Sequence, residues 1–168
     1  MNTLFYVLLL TAAAIAGLWY IGRKPYKHRR VPQANLNTYF EALLNRGFNG
    51  GVLIIEIPGS PLFLQFSKYI FRDGHVGLRF VFPLAPWSES YYEQVCRELS
   101  KRGFDLVTLP TSKGQVSEFL TVDLKQNIAE AVNVARLVIQ SVYRLKEDQT
   151  LELYFHNVSP KNERIGFV

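Results

Sequence analysis

The chain is poor in the residues that usually announce chemistry. Cys96 is the only cysteine in 168 residues, so no disulfide can close within the chain, as suits a reducing compartment. Histidine occurs three times, and neither a His-Glu-x-x-His spacing nor a paired-cysteine zinc motif is present. Gly-x-Ser-x-Gly and the Walker A loop are missing too. Charge is absent from the first 22 residues, where no Asp, Glu, Lys or Arg precedes Arg23.

What stands in that uncharged stretch is apolar: MNTLFYVLLLTAAAIAGLWYIG. At about 1.5 Å per residue, a helix of this length matches the roughly 30 Å hydrocarbon core of a bilayer. Residues 1–22 therefore predict one transmembrane helix. The basic run Arg23, Lys24, Lys27, Arg29 and Arg30 follows at once, and basic flanks are retained in the cytoplasm. The expected localisation is a single-pass membrane protein, amino terminus out and C-terminal domain in the cytoplasm. The same five side chains are the candidate contacts to anionic headgroups.

A cleaved signal peptide is the competing assignment, with Leu4–Leu10 as its apolar segment and Ala12, Ala14 and Ala16 as cleavage positions. Against it stand the lack of a basic segment before the apolar run, the apolar character of Leu18–Ile21, and a positive cluster on the side that resists export. Ala13 and Gly17 form a small-xxx-small pair on which two helices can approach. Trp19, Tyr20 and Tyr26 stand where an interfacial aromatic belt is expected.

The formal charge is +5, with nineteen basic and fourteen acidic residues. The run from Arg23 to Arg30 holds five of the basic residues and none of the acidic ones, which leaves fourteen of each in the rest. A neutral domain has no surplus with which to release counterions from a nucleic acid, so no nucleic-acid partner is expected.

Pro25 and Pro32 make residues 23–35 a basic juxtamembrane linker, and residues 36–168 one cytoplasmic domain. A helix is expected over Thr38–Arg46, with Thr38 and Glu41 as a capping box and Gly47 beyond its end. Strands follow at Val52–Ile57, Leu62–Phe71 and His75–Leu84, the last two joined by the turn Arg72-Asp73-Gly74. A helix from Ser88 to Arg102 closes at Gly103, and strands Phe104–Leu109 and Val116–Val122 come next. Asp123 and Gln126 match a capping box for a long helix, Leu124–Leu145, and a last strand covers Leu151–Phe155. The order α-β-β-β-α-β-β-α-β predicts an α+β domain with an antiparallel sheet packed on helices.

Through Leu145 this order resembles the small α-β-β-β-α-β-β-α fold of type III secretion chaperones and the YbjN-like proteins. The resemblance covers about residues 36–145 and is carried by element order, without a shared motif. The membrane anchor and the last strand depart from that pattern. It implies a protein-binding module that often dimerises and has no catalytic site.

Each titratable candidate has an ordinary alternative. Gly47–Gly51 is glycine-rich, but a strand follows it where a phosphate cradle needs a helix. Cys96 falls in the apolar stripe of the second helix. His75 and His156 lie on expected strands with Asp73, Asp105 and Asp123 as acid–base or metal partners, while His28 belongs to the basic run. Glu89 and Glu93 share a helix face as a solvated pair. Twelve Phe, nine Tyr and two Trp are more than one small core needs. Trp87 and Tyr91, beside Pro86 and Tyr92, are the candidate partner surface.

These readings favour a membrane-anchored protein-interaction module, a scaffold or accessory subunit, whose partner is another protein or a second copy of the chain. The alternative is a membrane-tethered enzyme or sensor for a lipid or other amphipathic small molecule. No catalytic, metal-binding or cofactor-binding residue is assigned.

Overall fold

The computed structural model describes residues 26–111 and 118–159. The expected membrane helix over residues 1–22 and the basic residues Arg23 and Lys24 lie outside these, as does the side chain of Arg29. Among the described residues no helix is long and apolar enough to cross a membrane.

Seven strands form one fully antiparallel sheet: β1 (Tyr26–Pro32), β2 (Gly47–Glu56), β3 (Phe63–Ile70), β4 (Val76–Leu84), β5 (Val107–Pro110), β6 (Glu118–Lys125) and β7 (Thr150–Val158). Their order is β1-β7-β2-β3-β4-β6-β5. The helices α1 (Leu36–Arg46), α2 (Glu89–Lys101) and α3 (Ile128–Leu137) pack on one face, making an α+β domain of two layers. The period of two in the strands explains the layering. One cross-strand row, Phe155–Leu53–Phe66–Phe80–Val122, is wholly buried under the helices. The next row, Lys27–Tyr154–Ile54–Gln65–Val81–Thr121–Val107, points to the opposite face, which no described element covers.

The largest departure from expectation is at the start. The expected linker over residues 23–35 contains β1 and a short 3-10 turn, Gln33–Asn35, so the domain begins before Leu36. Val31 is buried, and Gln33 is 1% exposed, its amide donating to the carbonyls of Lys146 and Gln149 at 2.7 and 3.2 Å. A bulge between His28 and Val31, with Arg30 at φ 55°, breaks the alternation that would have marked a strand.

The helix ends also differ. At α1 no Thr38–Glu41 box forms; the helix starts at Leu36, and Asn37 donates to Glu41 instead. Gly47 passes directly into β2 in extended conformation, and glycine is required there because a Cβ would stand 2.4 Å from the Leu43 carbonyl oxygen. Ser88 stands at the N-cap of α2, but its side chain makes no capping hydrogen bond. Its buried hydroxyl accepts from the Ala85 N–H at 3.0 Å and donates to the Pro83 carbonyl, holding the turn out of β4. β6 runs on to Lys125, because Leu124 continues the inward alternation of Leu120 and Val122. Asn127, rather than Asp123, caps α3 by accepting from the Glu130 N–H at 3.1 Å. The helix then widens into a π-turn over Val138–Val142, beyond which the Tyr143 hydroxyl donates to the Phe63 carbonyl at 3.0 Å.

Candidate functional site

The open face of the sheet is where side chains remain to meet another molecule. On its β5 side, Val107 and Leu109 alternate along the edge strand with 52% and 45% of their surface exposed. Register sets Val107 opposite Thr121 and Leu109 opposite Phe119, and places Val81 and Pro83 one strand further in. This builds an apolar strip from the edge toward the middle of the open face. Thr121 fixes the pair of strands by donating to the Val107 carbonyl at 3.0 Å.

The two sheet edges differ. β1 is blunted by its bulge and by charge, the usual protection of an edge. β5 carries apolar side chains, and all four of its residues are exposed. Where β5 begins, Arg102, Asp105, Val107, Asp123, Lys125 and Glu130 help to line a cleft of about 500 Å³.

Nearer the other end of β4, Tyr69 lies across Gly77 and donates to Asp123 at 2.5 Å, with the Arg79 guanidinium 5.1 Å from its ring centre. Burial, reinforced by the carboxylate, pushes the Tyr69 hydroxyl up to about 12. The group stays a donor at neutral pH.

The candidate partner residues Trp87 and Tyr91 are both half-buried. The Trp87 ring packs on Phe63 at 4.6 Å and approaches Phe82 at 6.2 Å, while Tyr91 meets Tyr143 edge-on at 5.3 Å. Among the described residues the large exposed apolar side chains are elsewhere: Val107 and Leu109, and a second group of Phe48, Ile70 and Phe71.

The candidate headgroup contacts divide as well. Lys27 is held on the open face by the Glu152 carboxylate and the Tyr154 hydroxyl, which raise its pKa, the Glu152 hydrogen bond most. Arg30 is exposed on the β1 bulge. His28 turns inward between Tyr39 and Tyr26, at 5.1 and 5.5 Å, and burial lowers its pKa.

His75 bonds the Asp73 carboxylate at 2.8 Å within one exposed hairpin. His156 lies on β7, three strands from β4, about 14 Å away at ~4.8 Å per strand. The structure does not bring the two histidines together. Among the described residues no three His, Cys, Asp or Glu side chains are grouped to hold a metal. Cys96 packs half-buried against the core, and burial raises its thiol pKa, which keeps it protonated and weakly nucleophilic. Lys68 is 7% exposed and donates to the Leu44 carbonyl near the end of α1, where the helix dipole favours a cation. Burial lowers its pKa.

Charge is distributed along the strand axis. Among the described residues, the end where β1 starts and the Phe71–His75 hairpin turns carries Arg46, Lys68, Arg72, Arg79, Lys101, Arg102 and Lys125 against Asp73, Glu98, Asp105, Asp123 and Glu130. The far end carries Glu56, Glu89, Glu118, Glu147 and Asp148 against Arg30, Arg136, Arg144 and Lys146, with Glu152 paired to Lys27. One end is thus basic on balance and the other acidic. No protein-family model, curated protein or solved structure matches the chain.

Proposed function

We propose that this protein is a membrane-anchored protein-interaction module whose partner adds an extended segment to β5 and covers the adjoining apolar strip. Residues 1–22 hold it in the membrane as a single spanning helix, with the α+β domain on the cytoplasmic side, as the length of the uncharged run and its basic flank indicate. The observation that carries the reading is the exposure of Val107 and Leu109 on a strand that ends the sheet. An edge strand offers unpaired backbone groups to an incoming strand, and alternate side chains then supply specificity. Two apolar residues on such an edge invite pairing that soluble domains normally suppress. The module serves as a scaffold or accessory subunit of a membrane-associated assembly. Its resemblance in element order to protein-binding chaperone folds agrees with this role.

Site-specific photo-crosslinking in native membranes tests the reading. A photoreactive residue replacing Leu109 gives a discrete polypeptide adduct, whereas one replacing Arg97, exposed on α2, does not. Adding Val107→Asp abolishes the adduct. Absence of an adduct at position 109, or the same adducts from both positions, contradicts the proposal.

A further inference from the structure

Phe48, Ile70 and Phe71 are 44%, 37% and 55% exposed and share the basic end of the sheet. They come from two neighbouring segments. Phe48 stands on a bulge of β2, where the register against β7 shifts between Gly47 and Val52, and Gly50 takes φ 74°. Ile70 and Phe71 lead into the β3–β4 hairpin. Asn49 ties the two segments together: its side-chain oxygen accepts from the Ile70 N–H at 2.9 Å, and its carbonyl accepts from the Asn157 amide at 3.0 Å. The apolar side chains are therefore mounted on a braced platform, with Phe71 also against Tyr69 at 4.9 Å.

Three features point to what this end of the sheet meets. β1 runs antiparallel to β7 and begins at Tyr26, so the chain enters the sheet from this same end. Only Arg23, Lys24 and Pro25 separate Tyr26 from the uncharged run, and three residues reach at most about 10 Å. A bilayer spanned by that run must lie close to this end of the domain. The basic surplus at this end, with Arg72 next to Phe71 in the hairpin, suits anionic headgroups, and the acidic end faces away. Aromatic and aliphatic side chains beside basic ones are the composition of surfaces that lie in the headgroup layer.

We propose that the Phe48, Ile70 and Phe71 end of the sheet seats on an anionic lipid surface, fixing the domain upright with β5 and the open face turned to the side for a partner. This rests on the reading of residues 1–22 as the membrane anchor. The apolar side chains enter the interfacial layer, and Arg72 meets headgroup phosphates.

The test uses full-length protein carrying Cys96→Ser and one new cysteine, Phe48→Cys, Phe71→Cys or Asp148→Cys, labelled with an environment-sensitive fluorophore. It is reconstituted into vesicles of phosphatidylcholine with or without phosphatidylserine, and headgroup-level spin-labelled lipid is the quencher. Labels at positions 48 and 71 shift to the blue and are quenched, more strongly with phosphatidylserine, while the label at position 148 stays in water. Protein that floats with the vesicles but shows no more quenching at 71 than at 148 overturns the proposal and leaves the anchor standing. Protein that fails to float overturns the anchor and the proposal together. Equal quenching in both lipid mixtures overturns the part assigned to Arg72 and its basic neighbours.

Discussion

Tyr69 and Gly77 are cross-strand partners, and the tyrosine fills the space a side chain at position 77 would take: a Cβ there would stand 2.2 Å from the Tyr69 hydroxyl oxygen. The missing side chain lets Tyr69 reach over β4 to Asp123. Gly77→Ala displaces the ring and breaks that hydrogen bond, for a loss of about 1 kcal/mol. Denaturant unfolding checks the loss. Absorbance titration checks the geometry, because the Tyr69 signal moves from about 12 toward the ordinary value of 10.0.

The same contact sets an alkaline limit. The folded Tyr69 hydroxyl holds its proton to about 12, against the ordinary value of 10.0. Its raised pKa contributes stability that is complete below pH 10 and lost as pH rises through 12. Tyr92 and Tyr143 are raised by burial in the same direction. Unfolding free energy measured across this range falls, and Tyr69→Phe falls less steeply.

Ser88 is the clearest single point of failure in the turn from β4 to α2. Its hydroxyl is fully buried and bonds both Ala85 and Pro83. Ser88→Ala strands a buried N–H and carbonyl, at roughly 1–3 kcal/mol. Thermal unfolding shows the loss as a lowered midpoint with the cooperativity of the transition retained.

Truncation distinguishes a strand from a linker. A chain beginning at Tyr26 keeps β1 and Gln33 and folds. One beginning at Leu36 leaves the long β7 as a bare edge and loses the Gln33 bonds to the 146–149 loop. Light scattering and amide dispersion in NMR spectra separate the two, with aggregation expected for the shorter chain.

The α+β class and the core strands were legible because Leu78, Phe80 and Phe82 alternate along one strand with the period of a half-buried sheet. The Asp73–Gly74 hairpin was legible from its turn residues, Gly74 taking φ 85°. β1 was hidden because its basic residues have a sufficient explanation in membrane topology and its bulge breaks the alternation. Leu124 fits a helix stripe as well as a strand, so the sequence pattern alone does not mark where α3 starts. The aromatic surplus pointed to Trp87 and Tyr91, yet spacing along a chain cannot say which rings find neighbours. Val107 and Leu109 read as ordinary strand residues; their exposure follows from β5 ending the sheet, a consequence of strand order.

The central claim is that β5 is covered by a partner in the membrane where the protein works. Hydrogen exchange at the amides of Val107, Thr108 and Leu109 tests it most directly, comparing full-length protein in its native membrane with the same protein purified into micelles. Slower exchange in the native membrane at these residues, with α2 unchanged, is the predicted result. Equal exchange in the two settings would contradict it.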